Sequence, residues 1–371
     1  MKVLFSANIP SPYRVDFFNE LGKFCDLTVV FERETSSVRN NKWHGTGART
    51  YREVFLNGIN AGEAEALSLG LINFVKDGSF DKIVIGMYSS PSSMIAIEYM
   101  KLHKIPFWLS TDGGFIKKES PVVNAVKRHF ISAASCWLSP GEKATEYLLH
   151  YGADKDRVFK YPFTSLMQAD LNRADRLCAL GKQHFREELG IKEDLIILSV
   201  GRFSYQAGYG KGYDTLMQAA ESLPPAFGIY IVGDEPTPEF VSWKESSHLH
   251  HVHFIGFKTK EELAKYYAMA DAFILLTRGD VWGLVINEAM SFSLPVITTK
   301  QCLAGVELVK DSKNGFLVNA GDTNEAIDCI HKVFASDDSL VRMSMESRKR
   351  IEAYTIENMA MSYYRFLLGT E

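Results

Sequence analysis

Two carboxylates eight residues apart, Asp280 and Glu288, bracket a turn between an apolar segment and a helical one. The apolar segment, residues 272–276, has the composition of a buried strand. A helix that begins after such a strand directs unpaired backbone N–H groups and the positive end of its dipole toward a ligand. Taken alone, the two acids are candidates for an acid and a base that face one pocket.

Two cations lie near a second predicted strand-to-helix turn. Arg202 follows Gly201 at the end of a strand, and Lys211 precedes the next helix. A guanidinium and an ammonium at a glycine-lined helix start fit a diphosphate, which needs positive charge and close approach of the backbone. A glycine-rich stretch is also typical of a flexible surface loop with solvated cations, so the loop alone leaves both interpretations open.

The elements that position these residues alternate between buried strands and helices. Strands are predicted at residues 2–7, 27–31, 82–86, 107–110, 136–138, 195–200, 229–232, 252–255, 272–276 and 295–298. Helices of the first half are predicted at residues 14–24, 92–103, 121–134 and 143–150. This alternation is typical of doubly wound parallel sheets. The predicted fold class is therefore α/β, with two Rossmann-like doubly wound parallel-sheet domains.

The domain boundaries are predicted where the alternation of strands and helices stops and then resumes. Residues 1–165 are predicted to form the first domain and residues 190–354 the second, with a polar linker at residues 161–191. The last segment, residues 355–371, has apolar residues at helical spacing and is predicted to pack back on the first domain. A ligand site is expected in a cleft between the two domains.

The composition excludes several classes of protein. No run reaches the roughly 18–20 apolar residues of a membrane-spanning helix, and the first residues lack signal-peptide architecture, so we expect a cytoplasmic protein. The five cysteines are scattered and odd in number, which fits reduced thiols. A net charge of −4, without a broad basic and aromatic surface, argues against a nucleic-acid partner.

A series of short motifs runs through the second half in a fixed order. They are Gly-Arg-Phe (201–203), Lys-Gly-x-Asp (211–214), Val-Gly-Asp (232–234), Phe-Ile-Gly (254–256), Asp-x7-Glu (280–288) and Asn-Gly-Phe-Leu-Val (314–318). The series resembles the retaining glycosyltransferases of family 4, which have the GT-B fold, over residues 195–320 and more loosely over residues 11–16. That family has Glu more often than Asp at the position of Asp280.

The resemblance implies a role for each donor-site residue. Glu288 would bind the ribose hydroxyls of a sugar nucleotide, and Asp280 the hydroxyls of the transferred sugar. Arg202 and Lys211 would neutralise the diphosphate and stabilise the leaving group, because fixed cations lower the free energy of a transition state that gathers negative charge. Further donor-binding positions are Gly201, beside the diphosphate cations, Gly256 and Phe257, toward the base, and Gly283, Leu284 and Val285, toward the phosphate.

The first half is expected to bind the acceptor. Asp112 follows a predicted strand, where the family often has a polar residue near the anomeric carbon, and the resemblance implies that it orients the acceptor or the sugar. The alternative is a turn aspartate that caps the Gly-Gly bend after it. Asn8 and Pro12, in the loop after the first strand, are expected to contact phosphate or the acceptor, with a purely structural role as the alternative.

Two clusters carry metal-binding residue types without the context of a metal site. Asp154 and Asp156 have D-x-D spacing but lie on a predicted helix-to-strand turn. The four histidines within residues 248–253 lack a Cys, Asp or Glu at ligand spacing. We therefore expect no metal and no cofactor, with the sugar nucleotide as donor substrate.

Two basic regions of the first half point to a membrane. Residues 35–52 contain, without any acid, the residues Arg39, Lys42, Trp43, Arg49 and Arg52. A predicted helix places Lys117, Lys118, Lys127 and Arg128 beside an apolar stripe of Val122, Val126, Phe130 and Ala133. A lipid-linked acceptor at an anionic membrane surface would account for both regions. The alternative for the stripe is packing on the sheet.

The prediction is a metal-independent, retaining hexosyltransferase that uses a nucleoside diphosphate sugar, with a UDP-sugar as the expected donor. The acceptor is expected to be a saccharide or a polyprenyl-linked saccharide, in cell-surface polysaccharide or glycolipid synthesis at the inner face of the plasma membrane. One alternative is a GT-B-shaped sugar-nucleotide epimerase. Another is a non-catalytic sugar-nucleotide-binding subunit, for which Asp280 in place of Glu is the sequence hint.

Overall fold

The computed structural model describes residues 1–35 and 47–369 of the chain. The chain divides into two compact units, of which unit 1 comprises Met1–Met167 with Tyr354–Glu371 and unit 2 comprises Gln168–Ala353. Each unit contains helices and its own main parallel sheet. The predicted α/β fold class with two parallel-sheet units is therefore confirmed.

Unit 1 is built on a parallel sheet. Its strands are β1 (Lys2–Ala7), β2 (Asp26–Phe31), β3 (Arg52–Phe55), β4 (Ile59–Asn60), β5 (Ala66–Leu67), β6 (Lys82–Ile85), β7 (Trp108–Ser110), β8 (Cys136–Ser139) and β9 (Val158–Lys160). Seven of them lie in the order β3-β2-β1-β6-β7-β8-β9, and β4 pairs with β5. The central strands are buried almost throughout, as expected for a sheet covered on both faces.

Five helices lie between these strands in the described part of unit 1. They are α1 (Pro12–Leu21), α2 (Gly70–Lys76), α3 (Pro91–Leu102), α4 (Pro121–Ile131) and α5 (Glu142–His150). The structure begins α1 at Pro12, earlier than predicted, because proline is well suited to the first helical position. Strand β3 is an addition to the predicted set, since its polar sequence lacks the apolar run of a buried strand.

Unit 2 contains a second parallel sheet. Its strands are β10 (Leu195–Val200), β11 (Phe227–Val232), β12 (Val252–Ile255), β13 (Ala272–Leu275), β14 (Val296–Thr299) and β15 (Gly315–Val318), in the order β12-β11-β10-β13-β14-β15. Its helices are α6 (Gln168–Ala179), α7 (Lys182–Leu189), α8 (Tyr213–Ala220), α9 (Pro238–Ser246), α10 (Lys260–Met269), α11 (Leu284–Ser291), α12 (Leu303–Leu308), α13 (Thr323–Val333) and α14 (Asp337–Ile351).

The predicted linker at residues 161–191 is wrong over most of its length, because α6 and α7 occupy it. Asp271, buried before β13, binds α7 through Lys182 and Arg186, with N···O distances of 2.7 and 2.6 Å. The same carboxylate accepts a hydrogen bond of 2.7 Å from the N–H of Ile196 in β10. Charged contacts hold the polar helix α7 on the sheet. Because these contacts do not require a regular spacing of apolar residues, the sequence pattern did not indicate the helix.

The last helix, α15 (Ile356–Leu368), belongs to unit 1. The Tyr363 ring lies 4.8 Å from the ring of Phe17 in α1, centroid to centroid. Phe24 and Tyr364 form a second aromatic pair, with centroids 5.3 Å apart. Helix α15 therefore supplies part of the core around α1.

Gly212 lies at a close contact between two backbones. Its φ is +73°, and a Cβ at this position would lie 1.9 Å from the carbonyl oxygen of Leu276. Gly190, at the end of α7, has a similar φ of +69° but faces open space. The two glycines thus share a left-handed backbone and differ in the room around it.

We expect Gly190→Ala to lower the free energy of unfolding by about 1–2 kcal/mol, the cost of a left-handed residue with a side chain. Gly212→Ala should lower it by about 2–5 kcal/mol, because overpacking adds to the same backbone cost. Urea unfolding followed by circular dichroism measures both. Equal losses for the two variants would contradict a steric role of Gly212.

Candidate functional site

Lys211 and Asp280 form an ion pair in unit 2. The Lys211 Nζ lies 2.6 Å from Oδ2 of Asp280, and the two side chains are 16% and 20% exposed. The ammonium also lies 5.4 Å from the centroid of the Tyr205 ring. The sequence predicted a different ligand for each charge, a diphosphate and a sugar. In the structure each charge neutralises the other.

The glycine-rich loop before α8 is held against the chain that follows β13. The carbonyl of Gly210 accepts hydrogen bonds from the N–H of Arg278, at 3.0 Å, and from the hydroxyl of Thr277, at 2.9 Å. Arg278 also forms a bidentate ion pair with Asp214 in α8, with both N···O distances 2.6 Å. Lys211 is therefore fixed at its place in the loop, and the Asp of the Lys-Gly-x-Asp motif has a structural partner.

The loop after β14 fixes the segment that carries Asp280. The N–H of Asp280 donates to the carbonyl of Gln301 at 3.0 Å, and the thiol of Cys302 donates to the carbonyl of Trp282 at 3.0 Å. Burial raises the pKa of the Cys302 thiol to about 12, so it keeps its proton near neutral pH. Gly283 has a φ of +98°, and a Cβ there would lie 2.6 Å from the Cys302 sulfur.

Helix α11 begins immediately after Gly283. Leu284 and Val285 are its first residues, and the N–H groups of a first helical turn have no partner within the helix and lie at the positive end of its dipole. Glu288 follows in the same helix and accepts a hydrogen bond of 3.0 Å from the hydroxyl of Tyr267. The predicted phosphate-binding amides and the predicted ribose-binding carboxylate thus lie on one short helix.

Gly201 and Arg202 follow β10. Gly233, which follows β11, packs so closely that a Cβ on it would lie 1.9 Å from the carbonyl oxygen of Gly201. The carboxylate of Asp234 accepts hydrogen bonds from the N–H groups of the two residues after Arg202. Asp234 therefore holds the turn that carries Arg202, a role that the Val-Gly-Asp motif alone did not reveal.

The carboxyl ends of the strands bring these loops to one edge of the unit 2 sheet. Strands β12, β11, β10 and β13 are neighbours and run parallel, so the residues that follow them emerge at the same edge. Gly256 and the exposed Phe257 follow β12. The donor-site residues predicted in unit 2 therefore belong to this edge and to the loops and helices that start there.

In unit 1, Asp112 is paired with a cation that the sequence did not identify. The Arg14 Nη2 lies 2.5 Å from Oδ2 of Asp112. Burial lowers the pKa of the Arg14 guanidinium, but the Asp112 carboxylate raises it, and the net shift is upward. Arg14 lies within the loosely matching segment 11–16, but its partner is 98 residues away, a pairing that short spacing cannot show.

Asn8 and Pro12 lie at the same edge of the unit 1 sheet as Asp112. The Asn8 side chain accepts a hydrogen bond of 2.8 Å from the N–H of Ile9, and its backbone carbonyl accepts one of 3.0 Å from Arg33. Pro12 is the first residue of α1. Both residues therefore have structural roles, and their contact with phosphate or acceptor stays a prediction.

Residues of both predicted clusters with metal-binding side chains have local partners. Asp154 caps a single 3₁₀ turn by accepting a hydrogen bond of 3.1 Å from the N–H of Asp156. His253 lies 2.6 Å from the carboxylate of Glu193. Across the described part of the chain, no three or more His, Cys, Asp or Glu side chains are grouped as metal ligands.

The predicted apolar stripe of α4 has a buried end and an exposed end. Phe130 is 8% exposed, whereas Val122 and Val126 are 72% and 42% exposed. Packing on the sheet therefore explains the last turn of the helix and not the first two. We call the exposed group the α4 patch, and it consists of Ile116, Lys117, Lys118, Val122, Val123 and Val126.

Three other cations of the predicted membrane surface, Arg49, Lys127 and Arg128, have protein partners. Lys127 forms an ion pair of 2.5 Å with Glu119, and Arg128 donates to the carbonyl of His150 at 3.0 Å. Residues Arg39, Lys42 and Trp43 lie outside the described residues. Within residues 1–35 and 47–369, no helix has the length and apolarity to cross a membrane.

The chain is similar to known glycosyltransferases. Residues 181–350 match the family model described as Glycosyl transferases group 1. The chain is 28% identical to sulfoquinovosyl transferase SQD2 of Arabidopsis thaliana over 169 residues, which are 44% of this chain and 31% of that protein. It is also 28% identical to D-inositol 3-phosphate glycosyltransferase of Xylanimonas cellulosilytica over 229 residues, or 57% of this chain and 51% of that protein. These matches thus span about a third and about half of the relatives' lengths.

A solved structure extends the similarity to the whole chain. HepE of Anabaena, solved in complex with UDP, superposes with a TM-score of 0.76 at 17% identity and covers 100% of both chains. The similarities in sequence support the predicted enzyme class, a glycosyltransferase. The fold is that of the GT-B glycosyltransferases, and the sequence similarity to group 1 glycosyltransferases lies in residues 181–350.

Proposed function

We propose that this chain is a retaining glycosyltransferase of family 4 that transfers a hexose from a nucleoside diphosphate sugar, with a UDP-sugar as the expected donor. The observation that carries the proposal is the Lys211–Asp280 ion pair beside the start of α11. Arg202 and Glu288 belong to the same edge of the unit 2 sheet. The solved complexes of HepE with UDP and with UDP-glucose support uridine as the base.

In the proposed reaction, positively charged side chains contact the diphosphate while its bond to the sugar breaks. Lys211 and Arg202 stabilise the negative charge that gathers on the leaving group, together with the first N–H groups of α11. These cations supply the charge that a divalent metal would otherwise supply, so the proposed reaction is metal-independent. When Lys211 turns to phosphate oxygens, Asp280 is released to accept hydrogen bonds from the hydroxyls of the sugar.

Unit 1 is proposed to bind the acceptor, a saccharide or a lipid-linked saccharide. Arg14 holds one oxygen of Asp112 at 2.5 Å and so fixes the orientation of the carboxylate. A carboxylate in a fixed orientation is suited to accept a hydrogen bond from an acceptor hydroxyl. Asn8 and Pro12, at the same edge, are proposed to line the acceptor or phosphate contact.

We expect one nucleoside diphosphate from a panel of UDP, GDP, ADP and CDP to bind the protein in isothermal titration calorimetry. Glu288→Ala and Lys211→Ala should each weaken that binding by about tenfold or more, because each removes a charged hydrogen-bonding partner. Lys265→Ala removes an exposed cation that pairs with Glu188 and should leave the affinity unchanged. Absence of binding by every member of the panel would contradict the proposal.

Asp280→Asn should tighten the binding of the free nucleoside diphosphate by about two- to fivefold, because it removes the carboxylate that competes with phosphate for Lys211. The same substitution should depress sugar transfer. Calorimetry and a transfer assay measure the two effects, with Asp170→Asn as a control that removes a carboxylate paired with Lys260. A loss of nucleotide affinity would show that Asp280 contacts the nucleotide itself. A new sugar nucleotide formed from the donor alone would indicate the epimerase instead.

The α4 patch is proposed to contact an anionic membrane at the inner face of the plasma membrane, where a lipid-linked acceptor would lie. Its valines and Ile116 provide apolar side chains for the headgroup region, and Lys117 and Lys118 provide charge complementary to anionic lipid. Stable attachment to a membrane needs two such signals together. Each lysine near the surface contributes about 1 kcal/mol.

Wild-type protein should sediment with vesicles of phosphatidylcholine and phosphatidylglycerol, and much less with phosphatidylcholine alone. Replacing Val122 and Val126 together by Ser should weaken the binding by about tenfold, since apolar side chains no longer leave water. Leu102→Ser, at an exposed position on α3, is the control. Sedimentation that is equal for the double variant and the wild type would contradict a membrane role of the α4 patch.

A further inference from the structure

Glu288, the carboxylate expected to bind ribose, is held by a buried tyrosine. The hydroxyl of Tyr267 in α10 donates to Oε2 of Glu288 at 3.0 Å. None of the motifs in the sequence includes Tyr267. We propose that Tyr267 is a positioning residue that orients Glu288 toward the ribose hydroxyls and thereby sets a preference for ribonucleotides. This inference rests on the proposed function.

The ring of Tyr267 is fixed by its neighbours. It is 2% exposed and stacks on the ring of Phe292, with centroids 5.4 Å apart and an interplanar angle of 17°. The ring of Phe273 in β13 lies 6.1 Å away on the sheet. Phe292 directly follows α11, the helix that carries Glu288. The Tyr267 ring therefore packs on Phe292, at the end of α11, while its hydroxyl binds Glu288 within α11. These two contacts fix the position of the hydroxyl relative to the Glu288 carboxylate.

The hydroxyl of Tyr267 acts as a donor at every physiological pH. Burial raises its pKa well above the ordinary value, and the negative charge of Glu288 raises it further. An ionised carboxylate offers about four lone-pair sites. Tyr267 occupies one of these sites, and the proposed contact with ribose hydroxyls uses others.

Fixing the carboxylate in advance favours those ligands that use it. A glutamate side chain has several rotamers, and holding one of them in the free protein reduces the entropy lost when a ligand binds. A ligand without ribose hydroxyls makes no hydrogen bond with Glu288, so the fixed rotamer of Glu288 does not raise its affinity. Removal of the Tyr267 hydroxyl should therefore affect ligands with and without ribose hydroxyls differently, which a general loss of packing would not do.

The test measures the binding of UDP and of 2′,3′-dideoxy-UDP to wild type and to Tyr267→Phe by calorimetry. If GDP, ADP or CDP binds the wild type more tightly than UDP, that diphosphate and its dideoxy analogue are used instead. Wild type should bind UDP more tightly than the dideoxy compound. Tyr267→Phe should weaken UDP binding by about three- to tenfold, because the freed Glu288 side chain then loses rotamer freedom when UDP binds, and should leave the dideoxy compound within about twofold. The ring stays in place, so the fold is retained.

Tyr230→Phe is a matched control, because the hydroxyl of Tyr230 donates to Glu193 in the same unit at 2.9 Å. It should leave the affinities of both ligands unchanged. Equal losses of both ligands in Tyr267→Phe, or no loss at all, would overturn the positioning role. If the wild type binds no nucleoside diphosphate, the proposed function fails first. If Glu288→Ala weakens UDP binding and Tyr267→Phe does not, only the inference about Tyr267 fails.

Discussion

The parallel direction of the strands in unit 2 is the constraint on which its candidate site depends. Because the strands run the same way, the loops that follow them emerge at one edge, and residues far apart in sequence become neighbours. The loops approach one another closely at Gly212 and Gly233, where an added Cβ would lie 1.9 Å from a backbone oxygen, and at Gly283, where it would lie 2.6 Å from the Cys302 sulfur. The site is thus shaped first by main chain, and the charged side chains extend from that frame.

Each unit pairs a candidate-site carboxylate with a cation. Lys211 binds Asp280, Arg14 binds Asp112, and each contact joins residues that are distant in sequence. A partly buried ion without a partner would cost several kcal/mol, so pairing makes these positions tolerable in the folded protein. In the proposed function, a phosphate of the donor replaces the Asp280 carboxylate at Lys211, so that Lys211 keeps a negatively charged partner. Asp280 would thus stabilise the partly buried charge of Lys211 in the folded protein and still leave Lys211 available to a phosphate.

The fold class could be predicted from the sequence because its signals are local, whereas the donor-site positions stay predictions. Buried strands are apolar runs, and motifs such as Asp-x7-Glu have fixed spacing. The partners of the functional residues could not be predicted, since Arg14, Cys302 and Tyr267 act through contacts between separate elements. The linker was mispredicted for a related reason, because α7 depends on charged contacts with Asp271.

The α4 patch shows a different limit of sequence reasoning. The spacing of Val122, Val126 and Phe130 correctly indicates an apolar stripe along one helix. Spacing does not say where the sheet ends beneath that stripe, and the structure covers Phe130 while leaving Val122 exposed. A helix that extends past the element it packs on presents part of its apolar face to the surroundings, which periodicity alone cannot separate from core.

The position of α15 has a consequence for synthesis of the chain. Unit 2 is contiguous in sequence and is inserted between the two parts of unit 1. Tyr363, one aromatic partner of Phe17, is therefore translated only after the whole of unit 2. At about 5–20 residues per second, that interval lasts roughly 10–40 s. During this time the face of α1 that carries Phe17 lacks the Tyr363 ring, and the nascent first domain is open to chaperones. Unit 2, made as one continuous segment, has no such delay.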